Sequence, residues 1–143
     1  MKGVGCTLCA GAAADAELGV TQVWEDRLWR LTMSATGHTT GFAFLEPKRH
    51  VPYITDLDGD EAATFGAVLA RVTSALREAA DTELVWVYIF GGGMPHLHVQ
   101  LAPHREGDAL NSQTVRGELA VERLPAEEIQ RVIERATELL NRQ

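Results

Sequence analysis

The sequence predicts an α+β fold, a five-stranded antiparallel sheet with two helices packed on it. Three observations carry that expectation. Five short segments are rich in β-forming residues, and two longer stretches repeat apolar residues at helical spacing. Their order, β-β-β-α-β-β-α, suits helices gathered on one face of an antiparallel sheet.

Val20–Trp24 and Leu28–Met33 flank Glu25-Asp26-Arg27 and read as a hairpin. Gly41–Glu46 (GFAFLE) is a third strand, closed by Pro47. Asp58 then opens a helix as N-cap, with Glu61 three residues on as its capping-box partner. Phe65, Val68, Leu69, Val72, Leu76 and Ala79 follow at helical spacing and form one buried stripe. Leu84–Phe90 (LVWVYIF) is apolar throughout and reads as a central strand. A turn, Gly91-Gly92-Gly93-Met94-Pro95, leads into the alternating strand His96–Ala102, and residues 103–120 are polar and turn-rich. Pro125 begins the last helix, within a C-terminal helical segment 121–143, whose stripe is Ile129, Val132, Ile133, Ala136 and Leu140. Residues 1–14 are small and Gly-rich and read as a loop around two cysteines.

The 143 residues suit a single domain, 1–143, able to bury a core without disulfides. With 45% hydrophobic and 23% charged residues the composition is globular, which excludes collagen-like, disordered and coiled-coil chains. The run Leu84–Phe90 is far shorter than the roughly 20 residues that span a bilayer. With no signal-type apolar core at the N-terminus, a soluble cytoplasmic protein without a membrane partner is expected. The net charge of −7 disfavours nucleic acid, whose binding is driven by Lys and Arg neutralising phosphates.

Chemistry concentrates in His96-Leu97-His98-Val99-Gln100-Leu101. On a strand, alternate side chains share a face, so His96, His98 and Gln100 would line up while Leu97, Val99 and Leu101 enter the core. A merely solvated edge would make no special demand for histidine. Cys6 and Cys9 form a CxxC pair whose thiolates can chelate half of a tetrahedral ion. A thioredoxin-like reading fails because no strand fits ahead of the pair. Two histidines would complete a Cys2His2 shell, and His38, His50, His96, His98 and His104 are the candidates. His50 closes Pro47-Lys48-Arg49-His50 in a loop after the third strand.

The joint pattern of CxxC, PKRH and HLHVQ, in this order, resembles the histidine triad (HIT) superfamily over residues 6 to about 108. Gln100 in the third place of His-x-His-x-Gln is similar to the branch of galactose-1-phosphate uridylyltransferase and the diadenosine polyphosphate phosphorylases. The resemblance implies a HIT-like sheet and a homodimer. It implies His98 as nucleophile towards the α-phosphorus of a nucleotide, with Gln100 bonding a phosphate oxygen. Gly92, Gly93 and His104 would be substrate-binding. It implies one structural Zn2+ per chain, held by Cys6, Cys9, His50 and His96. The chain departs from the pattern where many HIT hydrolases carry a further histidine, at Phe42, and a ribose-binding Asp, near Ser34.

The expected activity is thus nucleotide hydrolysis or nucleotidyl transfer through a covalent nucleotidyl-His98 intermediate. The alternative is a zinc-stabilised module that binds a nucleotide or other phosphorylated small molecule without turnover. A weaker third reading is a zinc-dependent interaction protein.

Overall fold

The computed structural model describes residues 5–35, 41–105 and 125–142. His38, residues 106–124 and the outermost termini lie outside them. A 3-10 helix at Leu8–Ala14 stands where the sequence reads as loop, and a single α-helical turn, α1 (Asp15–Leu18), follows it. The hairpin follows as β1 (Val20–Glu25) and β2 (Trp29–Ser34). Its turn is set by Asp26, whose carboxylate accepts the backbone N–H groups of Leu28 and Trp29 at 2.8 and 2.7 Å. Then come β3 (Ala43–Pro47), α2 (Gly59–Ala80), β4 (Leu84–Tyr88), β5 (Val99–His104) and α3 (Ala126–Leu140).

The five strands pair antiparallel in the order β1-β2-β3-β5-β4. The register divides the sheet into two faces. Leu31, Leu45 and Val99 form one cross-strand row, and Met33, Ala43 and Leu101 the next. All six are fully buried in a core with Val68, Val72 and Leu76 of α2 and Ile129, Val132 and Ala136 of α3. Both predicted helical stripes therefore pack on this face, with Phe65 and Leu69 at its margin. The opposite face carries the rows Arg30–Glu46 and Thr32–Phe44–Gln100–Tyr88. Gly41 enters β3 with φ 84°, and a Cβ there would lie 3.0 Å from Cγ of Pro103, so glycine is required.

Three expectations need correction. The apolar run at 84–90 is not a central strand: β4 forms an edge, with Leu84 and Val87 each 42% exposed. An unbroken apolar run signals burial on both faces, and within one chain the edge supplies only part of it. The last strand begins at Val99, so His96 lies in the bend and His98 in the short link that precede it. Asp58 is the N-cap of α2 but makes no side-chain capping bond. Asp58 and Glu61 instead accept from Arg49, at 2.7 and 3.1 Å, tying the PKRH loop to the start of α2. No helix among the described residues is long and apolar enough to cross a membrane.

Candidate functional site

Cys6, Cys9, His50 and His96 converge from three parts of the chain, and their ligand atoms all lie within 4.8 Å of one another. Sγ of Cys9 is 3.2 Å from Nδ1 of His50 and 3.4 Å from Nδ1 of His96; Sγ of Cys6 is 3.4 Å from the same His96 atom. A tetrahedral zinc with ordinary Zn–S and Zn–N bonds separates S from N by about 3.6 Å. The donor set and its spacing fit such an ion. His98 and His104 are not in the cluster, and His38 lies outside the described residues.

The local fold prepares the ligands. His96 is fully buried, and its Nε2–H donates to the carbonyl of Pro47 at 2.8 Å. A carbonyl only accepts, so the proton is on Nε2 and the Nδ1 lone pair faces the cysteines. Burial holds the His96 pKa below its ordinary value, aided by His50 and His98 and opposed by the Pro47 bond, so the neutral ligand form is favoured. Burial pushes the Cys6 thiol up. An ion would offset that cost by binding the thiolate.

His98 follows two residues on. Its Nδ1–H donates to the backbone carbonyl of His96 at 2.8 Å, leaving Nε2 with the lone pair. Leu45 pairs with Val99, and continuing the register one residue sets His98 opposite Glu46. Both line a cavity of about 180 Å3, together with Arg30, Thr32 and Phe44 of the sheet. Leu8 and Leu18, from the segment that carries the cysteines, wall it, and Met94 of the glycine turn closes one side. The cysteine segment thus belongs both to the metal cluster and to the cavity.

A charge network absent from the sequence expectations borders the cavity through Arg30 and Glu46. Arg30, 4% exposed, donates through Nε to Glu46 and through its terminal nitrogens to Asp15 and Gln22. Burial opposes the Arg30 charge, but the bonds to Asp15 and Glu46 prevail and its pKa lies above the ordinary value. For Glu46, burial prevails over the Arg30 bond and its carboxyl is held above the usual range. The signal was present in the sequence. Arg30 and Thr32 alternate with Trp29, Leu31 and Met33, and Phe44 and Glu46 alternate with Ala43 and Leu45. That alternation places both charges on the face away from the core.

The other site expectations are placed as follows. Gln100 lies in the row beside Phe44 and Tyr88. Gly92 and Gly93 are exposed and line neither this cavity nor a smaller one bordered by Tyr53, His96 and His98. His104 stacks on Trp86 with ring centres 4.2 Å apart. It is six residues past His98 along β5, roughly 20 Å away at strand spacing, and borders neither cavity. Lys48 pairs with Glu25 at 3.3 Å, and Arg49 is held by Asp58 and Glu61.

No protein-family model matches the chain. An uncharacterised HIT-like protein of Mycobacterium tuberculosis is 26% identical over 111 residues, covering 74% of this chain and 76% of that protein. A histidine triad protein from Bradyrhizobium japonicum superposes with a TM-score of 0.74 at 23% identity, over 89% of this chain and 95% of that one. A Zn-bound histidine triad family protein from Mycobacterium smegmatis does so with a TM-score of 0.70 at 21% identity, over 95% and 96%. The fold is that of the histidine triad proteins.

Proposed function

We propose that the chain is a histidine-triad-type enzyme, a nucleotide hydrolase or nucleotidyltransferase, with His98 as its nucleophile. The observation that carries this is the Nδ1–H bond from His98 to the His96 carbonyl, in a residue that borders the cavity. Nε2 of His98 attacks the α-phosphorus; an N–P bond forms as the P–O bond to the leaving group breaks, and that oxygen keeps the electron pair. The carbonyl keeps the proton on Nδ1, so the phosphorylated ring is cationic and departs readily when an acceptor oxygen attacks phosphorus. Gln100 is an amide and donates to a phosphate oxygen without supplying a proton. Substrates whose leaving group departs unprotonated, such as a phosphate, suit the site. Glutamine in this place also favours transfer to an acceptor other than water.

Cys6, Cys9, His50 and His96 would hold a structural Zn2+. Such an ion would have four protein ligands and no position for water, and these residues would thereby fix the cysteine segment against the sheet. The Zn-bound M. smegmatis relative is consistent with this. His96 and its carbonyl then form a rigid mount for His98.

A homodimer through β4 accounts for its apolar residues at an edge that no other described strand pairs. Leu84, Val87 and Phe90 are exposed there, and a two-fold pairing would bury them and satisfy the edge.

One observation favours the second reading, a binding module without turnover. Among the described residues, Arg30 is the sole Lys or Arg bordering the cavity, and it is engaged by Asp15 and Glu46. Lys48 and Arg49 are paired too, so little positive charge is available to a phosphoryl group in transfer. The two readings separate in one experiment. Purified protein is incubated with a panel of nucleotides, sugar nucleotides and dinucleoside polyphosphates, and binding and product are both measured. Product that disappears in His98→Ala supports the enzyme; saturable binding with no product across the panel supports the module.

A further inference from the structure

Cys6 and Cys9 are the two cysteines of the chain, so a disulfide within one chain can only join them. They differ in access: Cys6 is half-buried, whereas Cys9 is 9% exposed. Their sulfurs lie within 4.8 Å of each other in the cluster with His50 and His96. Thr7 between them is helical (φ −61°, ψ −41°) and Leu8 opens the 3-10 helix, so one helical turn joins the pair. Cβ atoms three residues apart on such a turn are about 5–6 Å apart, and a disulfide needs about 3.5–4.5 Å. Closure thus takes a movement of about 1–2 Å within a single turn. The kink at Gly11 (φ 60°, ψ −135°) separates that turn from α1, so the sheet does not have to move with it.

The same two sulfurs tie the N-terminal segment to the sheet. Cys9 approaches both histidines and Cys6 approaches His96. A disulfide sulfur carries no charge, and the metal ligand is the thiolate. With the sulfurs joined, His50 and His96 are left as half of a tetrahedral donor set. His96 is fully buried and stays tethered to the carbonyl of Pro47, so that half remains on the sheet for a metal to return to. Leu8, next to Cys9, walls the cavity that His98 borders, so closure of the pair also reaches that wall.

We propose that Cys6 and Cys9 are a peroxide-reactive pair, closing to a reversible disulfide that dismantles the Cys2His2 site. The more accessible sulfur reacts first. The Cys6 thiolate attacks one oxygen of hydrogen peroxide; an S–O bond forms, the O–O bond breaks and hydroxide leaves with the electron pair. The Cys9 thiolate then attacks Sγ of Cys6; an S–S bond forms, the S–O bond breaks and a second hydroxide leaves. The two sulfurs lose two electrons in all, and the peroxide gains them. A dithiol such as dithiothreitol restores the thiols by exchange and is itself oxidised to a disulfide. Loss of metal on closure rests on the reading of the cluster as a zinc site; closure itself rests on the two sulfurs alone.

The test treats the zinc-loaded full chain with excess hydrogen peroxide and follows intact mass, free thiols and zinc captured by a chromogenic chelator. The expected product is lighter by two hydrogens, has no free thiol and has released about one zinc per disulfide. Dithiothreitol followed by zinc should restore the starting mass and metal content. Cys9→Ala lacks the second sulfur, and the same treatment should add oxygen to its Cys6 instead. Three results overturn the proposal while leaving the metal reading intact: zinc retained with both thiols reduced, oxygen added to the wild-type sulfurs in place of a disulfide, or a disulfide formed with zinc still bound. Cys6 left unoxidised in Cys9→Ala overturns its role as the sulfur attacked first. If the chain takes up no zinc, the metal reading fails. A reversible disulfide in that protein then upholds the pair, and thiols that stay reduced overturn it.

Discussion

The Nδ1–H of His98 donates to the backbone carbonyl of His96, 2.8 Å away. The side chain of His96 belongs to the Cys6–Cys9–His50 cluster, and its own Nε2–H is held by Pro47. One residue thus couples the proposed metal to the proposed nucleophile. Its imidazole is fixed by the cluster and its carbonyl sets the tautomer of its neighbour. Loss of metal is expected to reach His98 through this single peptide.

Metal content follows first. Purified protein should contain about one zinc per chain by elemental analysis. Cys6→Ser with Cys9→Ser should abolish it and lower the melting temperature by about 10 °C, the scale of a ligand bound far above its dissociation constant. Far-ultraviolet circular dichroism should retain the sheet, whose core on the helix side does not include the cysteines.

Arg30 is the keystone of the buried charges. Arg30→Met should destabilise the fold by about 3–5 kcal/mol in urea titrations, because Asp15 and Glu46 are left without their cation. Adding Glu46→Leu and Asp15→Asn to Arg30→Met should recover much of that loss. Greater destabilisation in the triple variant would mean that the network does more than compensate its own burial.

Glu46 sets a pH trend. Its carboxyl is held above its ordinary value of about 4.5 in the folded protein, mainly by burial. Between that value and the raised one, the folded state binds more protons than the unfolded state. Stability contributed by this group is therefore greatest at low pH and declines as pH rises through the folded pKa. Wild type should lose stability relative to Glu46→Gln as pH increases from about 4.5. Paired urea titrations across that range check the sign, and a gap moving the other way contradicts it.

At the open edge, Val87→Glu should convert a dimer into a monomer in sedimentation velocity without unfolding it, because Val87 is exposed in the single chain. A wild-type monomer at micromolar concentration would refute pairing through β4.

Much of this was legible from residues alone. Helical periodicity located both core stripes, since Val72, Leu76, Val132 and Ala136 can share a core only at that spacing. The alternation of Val99 and Leu101 with Gln100 also held within the last strand, whereas His96 and His98 precede it. Other features depend on partners distant in sequence. Leu84–Tyr88 reads as central because its residues are apolar, but strand order is decided by which neighbour arrives, and β5 takes the inner place. Asp58 and Glu61 match a capping box, yet Arg49 from the preceding loop competes for both carboxylates. The Arg30–Glu46 pair needed the β2–β3 register as well as the alternation within each strand. Whether Gly92 and Gly93 border the site depends on the path of the turn, which sequence spacing does not specify.

The most direct test of the nucleophile is a covalent trap. Protein is mixed with a nucleotide radiolabelled at the α-phosphate, quenched in alkali to preserve N–P bonds, and resolved on a denaturing gel. Wild type should carry label that mild acid releases, and His98→Asn should carry none while still binding nucleotide. Undiminished acid-labile label on His98→Asn, or turnover at the wild-type rate, would contradict the assignment of His98.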